Sequence, residues 1–158
     1  MEIKQNSPRA WILACRPKTL TGALIPVMTA SALALNNEKC NVTAIIICFV
    51  FASLMQIAAN LINDLFDFLK GTDGSDRLGP ERACAQGWIS PRSMRKGIAI
   101  VLTAATAVGA LLLLYGSLWL IAIGAACIVF AFLYTTILSY SGMGDMLVLV
   151  FFGFVPCC

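Results

Sequence analysis

The sequence predicts an all-α fold, a multi-pass bundle of antiparallel transmembrane helices. Hydrophobic residues make up 59% of the 158-residue chain and charged residues only 12%, which lies outside the usual range of soluble domains. Four apolar segments, at about 19–35, 42–62, 97–115 and 117–138, each approach the roughly 20 residues that a helix needs to cross the hydrocarbon core. A fifth apolar run, at about 146–158, is too short to span the membrane by itself.

The first apolar segment has an alternative reading as a cleavable secretory signal. It has a basic leader, and Ala32-Leu33-Ala34 resembles a cleavage site. However, Pro26 lies in the middle of the apolar run, and the polar leader is long for a signal. We therefore interpret the segment as the first membrane span.

The basic residues predict the orientation of the spans. Four precede the first segment and six lie between the second and third, whereas only Lys39 lies in the loop on the opposite side. Because positive charge marks the cytoplasmic side, the N-terminus and the polar loop at 63–96 are predicted to face the cytoplasm from the cell (inner) membrane. No basic run is interleaved with aromatic residues, so nucleic-acid binding is not expected.

Acidic residues cluster where the second segment ends. Asn63 and Asp67 are four residues apart and share one face of a helix, as do Asn60 and Asp64. The helix is expected to continue to about residue 70, so that the chain beyond it can fold back. The acidic residues of this stretch are Asp64, Asp67, Asp73, Asp76 and Glu81. Clustered oxygen donors of this kind suit Mg²⁺, which takes one or two carboxylates together with substrate phosphates.

Arginine residues follow the acidic cluster closely. Arg77 and Arg82 lie in the same polar loop, and a guanidinium group is a natural bidentate partner for diphosphate oxygens. Carboxylates, a metal ion and arginines together indicate a diphosphate-binding site.

Several other kinds of chemistry have no support in the sequence. The chain has no histidine, which excludes a Ser-His-Asp triad and most transition-metal sites. Its seven cysteines include no C-x-x-C pair, so a zinc, iron–sulfur or thioredoxin-like site is not indicated. Any chemistry must use carboxylates, amides, cations and tyrosine.

The motif Asn63-Asp64-x-x-Asp67, followed by Asp73, resembles the first aspartate-rich motif of the UbiA superfamily of intramembrane prenyltransferases. Further motifs in the same order are similar to its 1,4-dihydroxy-2-naphthoate polyprenyltransferase branch, which acts in menaquinone synthesis. These are Arg16-Pro17-Lys18-Thr19-Leu20, Asp76-Arg77-Leu78-Gly79-Pro80, Ala85-Gln86-Gly87-Trp88, Tyr134-Thr135-Thr136 and Gly144-Asp145. The spacing from Asp67 to Asp73 is longer than in many superfamily members, but this branch shares it.

The resemblance implies an enzyme that transfers a polyprenyl group from polyprenyl diphosphate to 1,4-dihydroxy-2-naphthoate. It implies that Mg²⁺ is held by Asn63, Asp64, Asp67 and Asp73, of which the three aspartates are catalytic. It also implies that the substrates are contacted by Arg16, Lys18, Asn60, Arg77, Arg82 and Tyr134.

The same resemblance implies that residues 1–158 are the N-terminal part of one prenyltransferase domain. The family has a second aspartate-rich motif and further helices, whereas nothing after Asp145 is acidic. Two alternatives stay open: an inactive membrane fragment, and a related prenyltransferase with another aromatic acceptor. A CDP-alcohol phosphotransferase is disfavoured, because Asp73-Gly74 lacks the alanine and the downstream aspartates of that signature.

Overall fold

The computed structural model describes residues 3–36, 41–71 and 81–133, and within these ranges it contains helices and no strand. The prediction of an all-α fold is confirmed. In chain order the elements are α1 (Pro8–Cys15), α2 (Pro17–Leu35), α3 (Val42–Lys70), α4 (Pro91–Leu111), a 3₁₀ turn (Leu112–Leu114) and α5 (Trp119–Leu133).

Among the residues that the structure describes, three stretches are long and apolar enough to cross a membrane, and the chain is a membrane protein. They are Pro17–Leu35, Val42–Lys70 and Pro91–Leu114. At 1.5 Å per residue, the 29 residues of α3 extend about 43 Å, which exceeds the roughly 30 Å of the hydrocarbon core. The polar end of α3 therefore has enough length to emerge from the core.

Several element boundaries differ from those read in the sequence. Helix α3 continues to Lys70, as predicted, but α4 begins at Pro91, earlier than the segment predicted from about residue 97. Gly71 ends α3 in the left-handed conformation with φ +68°, and the side chain of Ser90 caps α4 by accepting from Ser93 N at 3.2 Å. The segments predicted at 134–138 and 146–158 lie outside the described residues.

The short helix α1 was not anticipated. Ser7 caps it by accepting from Ala10 N at 3.3 Å, and Pro8 occupies its first turn, where a missing N–H costs no hydrogen bond. Its Trp11 ring lies against α4, so close that a Cβ built on Gly97 would stand 2.5 Å from Trp11 Cζ3. Glycine at this position allows α1 to pack directly on α4.

The buried core lies at the C-terminal end of α3. Helix α3 is central and packs against α1, α2, α4 and α5. Side chains from α1, from the end of α3, from the loop and from the start of α4 meet there: Ala10, Ala14, Leu61, Ile62, Leu65, Ala83, Cys84, Ile89, Met94 and Ile98. This core surrounds the polar residues of α3 and holds them in place.

Candidate functional site

The polar residues at the end of α3 form two rows with different surroundings. Asn60 and Asp64 are buried, with 5% and 1% of their surfaces exposed. Asn63 and Asp67 are only partly buried. We call these the inner row (Asn60 and Asp64) and the outer row (Asn63 and Asp67). The helical spacing predicted the two pairs.

The carboxylate of Asp64 binds the backbone of the loop. Its Oδ2 accepts a hydrogen bond from Ala83 N at 2.8 Å, and its Oδ1 accepts one from Cys84 N at 2.9 Å. A buried carboxylate is tolerated only when its oxygens are hydrogen-bonded, and two amide donors meet that need. Asp64 therefore fixes two consecutive peptide groups to α3.

The next acidic residue, Asp67, pairs with an arginine from the same loop. The guanidinium of Arg82 donates to Asp67 Oδ2, and the two side chains are only 7% and 14% exposed. Arg82 directly precedes the two amides that Asp64 holds. The loop backbone and the loop cation are thus attached to carboxylates one helical turn apart.

Asn60 fixes the junction between α1 and α2. Its Nδ2 donates to the carbonyl oxygen of Cys15 and to Thr19 Oγ1, both at 2.9 Å. Between these partners, Arg16 adopts a left-handed conformation with φ +50°, which is unfavourable for a residue with a Cβ. Burial raises the pKa of the Cys15 thiol, so this thiol is neutral near pH 7.

The structure brings some of the predicted site residues together. The inner and outer rows and Arg82 meet at the end of α3, and Arg16 lies at the junction that Asn60 holds. Lys18 is exposed in the first turn of α2. Asp73, Arg77 and Tyr134 lie outside the described residues.

The donors of the outer row fit a hard divalent cation. Over the part of the chain that the structure describes, no three carboxylate, thiol or imidazole side chains gather in a metal-binding group. However, Asn63 and Asp67 offer an amide and a carboxylate oxygen one turn apart, and Mg²⁺ needs few protein ligands when phosphates and water complete its shell. Both residues of this row are only partly buried, so they keep some contact with solvent.

Two contributors were missed in the sequence. The amides of Ala83 and Cys84 carry no side-chain signal, and they lie 19 and 20 residues from Asp64 along the chain. No local pattern identifies such a contact.

A separate apolar crevice lies farther along the bundle. It has a volume of about 330 Å³ between α3, α4 and α5, and its lining includes Phe51, Gly109 and Ile128. Phe51 precedes Asp64 by roughly 20 Å along α3, at 1.5 Å per residue. The crevice is within the apolar part of the bundle and contains none of the predicted site residues.

Comparison with known proteins gives several similar sequences. The chain is 36% identical over 148 residues to the 1,4-dihydroxy-2-naphthoate octaprenyltransferase of Mycobacterium leprae, covering 92% of this chain and 50% of that protein. It is 32% identical over 156 residues to the Escherichia coli protein of the same name, covering 93% of this chain and 51% of that protein. It is also 31% identical over 157 residues to the UbiA prenyltransferase domain-containing protein 1 of Danio rerio, covering 94% of this chain and 46% of that protein.

The chain spans about half the length of these curated relatives. No solved structure matches it significantly. The sequence profile of the UbiA prenyltransferase family matches residues 23–158, which is most of the chain. The residues that gather at the end of α3 include the aspartate-rich motif on which the resemblance rests. The chain therefore belongs to the UbiA prenyltransferase family.

Proposed function

We propose that this chain forms the diphosphate-binding part of a Mg²⁺-dependent prenyltransferase that acts in menaquinone biosynthesis. The donor is a polyprenyl diphosphate and the acceptor is 1,4-dihydroxy-2-naphthoate. The observation that carries the proposal is the largely buried pair of Asp67 and Arg82 beside Asn63, at the end of a long apolar helix. The relatives named 1,4-dihydroxy-2-naphthoate octaprenyltransferase support the choice of substrates.

In this proposal the outer row provides metal ligands. Asn63 and Asp67 would bind Mg²⁺ through their oxygens, joined by Asp73 from the chain beyond Gly71. Bound there, the metal would supply positive charge against the diphosphate oxygens. Asp64, also predicted as a ligand, has both oxygens on loop amides and is left out of this metal-binding set.

The cationic side chains would bind and orient the diphosphate. Arg82 sits beside the outer row and can form two parallel hydrogen bonds with phosphate oxygens. We assign Arg16, Lys18 and Arg77 to the same diphosphate, and Tyr134 to the wall of the cavity. Asn60 would act on the substrate only through the backbone around Arg16.

The reaction itself needs charge stabilisation more than proton transfer. As the allylic C–O bond breaks, negative charge grows on the leaving diphosphate, and guanidinium groups fixed in advance stabilise it without reorganising. The electron-rich naphthoate ring then attacks the allylic cation, and the ring carboxylate leaves as CO₂. The apolar helices would keep water away from the cation and accept the polyprenyl tail.

We further propose that the site faces the cytoplasm from the inner membrane. The proposal rests on the excess of basic residues on that side of the spans.

The experiment that tests the function is Asp67→Ala in a full-length enzyme that carries this N-terminal half. We expect prenyl transfer with added Mg²⁺, measured per amount of enzyme in the membrane, to fall at least tenfold, because no neighbour replaces this ligand. The matched control is Glu81→Ala, since Glu81 is an exposed acidic residue of the same loop. Turnover above about a tenth of wild type in Asp67→Ala would remove this residue from the metal site. Product with a different phenolic acceptor, and none with dihydroxynaphthoate, would favour the alternative prenyltransferase.

A further inference from the structure

We infer that Asp64 is a positioning residue: its carboxylate holds the loop backbone and thereby sets the guanidinium of Arg82 against Asp67. The inference rests on the proposed function and deepens it. It divides the motif into an outer row that binds the metal and an inner row that positions the arginines that bind the diphosphate.

The surroundings of Asp64 make it a poor ligand for a metal ion. The residue is 1% exposed, and each carboxylate oxygen already accepts a backbone amide at 2.8 or 2.9 Å. A Mg²⁺ ligand must instead share its oxygen with an ion that keeps water or phosphate oxygens around it. The partly buried outer row meets that condition.

The position of Arg82 follows from the amides that Asp64 holds. The peptide group that Asp64 binds through Ala83 N is the one that begins at the Arg82 carbonyl. That carbonyl oxygen also accepts from Gln86 N at 3.0 Å, which closes the turn. Because the peptide group after Arg82 is held at both its C=O and its N–H, Arg82 needs few further torsions to reach Asp67, one turn beyond Asp64.

The other inner-row residue repeats the arrangement. Asn60 holds Cys15 O and Thr19 Oγ1, which flank Arg16 in its left-handed conformation. Thr19 Oγ1 in turn donates to Arg16 O at 2.9 Å. Each inner-row residue thus fixes the main chain beside one arginine. Asn60 does so through Cys15, 45 residues away in sequence, and Asp64 through Ala83, 19 residues away.

The first test uses a chain in which Cys84 is the only cysteine, because its thiol is buried at 3% exposure beside the bond to Asp64. In Mg²⁺-free membranes we expect Asp64→Asn to raise the rate of maleimide labelling at least tenfold. An amide has one acceptor oxygen, and its NH₂ group would face a backbone N–H. Glu81→Gln is the matched control and should leave the rate unchanged.

A rate within twofold of wild type in Asp64→Asn would overturn the inference, since a residue that only binds metal has no effect without metal. Loss of Asp64→Asn protein during incubation of the Mg²⁺-free membranes, while the control protein remains, would support it for the same reason.

The second test asks whether Asp64 acts through Arg82. Binding of inorganic pyrophosphate with Mg²⁺ is measured for wild type, Asp64→Asn, Arg82→Gln and the double variant. We expect each single variant to weaken binding about tenfold, and the double variant to lie within threefold of Arg82→Gln, because the two changes remove the same contact. Additive losses of about a hundredfold would show that Asp64 binds the ligand independently and would overturn the inference. Absence of Mg²⁺-dependent binding in wild type would refute the proposed function instead, and the labelling rates would still decide the role of Asp64.

Discussion

The ion pair between Asp67 and Arg82 leads to a quantitative prediction about stability. The perturbation is the neutralisation of each partner, in Asp67→Asn, in Arg82→Gln and in the double variant. The side chain of Arg82 is 7% exposed and that of Asp67 is 14% exposed, so both charges are largely out of water.

Removing one partner of a buried pair usually costs 3–5 kcal/mol, because the remaining charge loses its compensation. Since Asp67 keeps some contact with solvent, we expect about 3 kcal/mol for Arg82→Gln, at the low end of that range. The neutral double variant keeps an amide–amide contact and leaves no isolated charge, so we expect it to lose only about 1 kcal/mol. The coupling energy between the two sites is then at least about 2 kcal/mol.

The assay is equilibrium unfolding of the purified chain in mixed detergent micelles, followed by helical circular dichroism without Mg²⁺. Both residues make further contacts, and the double-variant cycle separates their mutual term from those contacts. Arg95→Gln is the matched control, because Arg95 is exposed, and it should change the free energy of unfolding by less than about 0.5 kcal/mol. Additive single-variant costs, within about 0.5 kcal/mol, would refute the reasoning and show that solvent screens the pair.

Two further predictions concern orientation and packing. In a cysteine-free chain, Asn36→Cys should react with a membrane-impermeant thiol reagent on intact cells, and Gln86→Cys should react only after permeabilisation. Both positions are exposed, so burial does not limit the reaction. The opposite labelling pattern would reverse the proposed topology. Gly97→Ala should lower the free energy of unfolding by about 1–3 kcal/mol, because the added Cβ would lie 2.5 Å from the Trp11 ring. Gly22→Ala is its control, since a Cβ there meets nothing within 4 Å, and an equal loss in both variants would contradict the packing argument.

Much of the helical framework follows from local sequence. Long apolar runs predict α2 and α3, because hydrophobic length and helix propensity are properties of neighbouring residues. The start of α4 was placed too late, since its first turns carry Arg92, Arg95 and Lys96 and resemble a loop. The pair Ser90-Pro91 marks the true start, and Ser7-Pro8 marks α1 in the same way, so both signals were present in the sequence.

The site could be predicted in part. Helical spacing placed Asn63 with Asp67 and Asn60 with Asp64. The loop arginines predicted a diphosphate site beside them, and that site stays a prediction. The sequence did not indicate which pair faces the loop. Each row consists of one asparagine and one aspartate, so residue types alone make both rows equally suitable as metal ligands.

The tertiary structure decided which of the two rows is buried against the loop. The loop packs Ala83, Cys84 and Ile89 into the core at the end of α3, which turns the amides of residues 83 and 84 towards Asp64. Those contacts depend on backbone groups, which every residue type carries, and on chain segments far apart in sequence. The sequence by itself therefore determined that carboxylates gather at this helix end with a loop arginine nearby. Only the packing of the loop against α3 decided which carboxylate is buried as an anchor and which remains partly open, because burial depends on the whole surroundings of a residue.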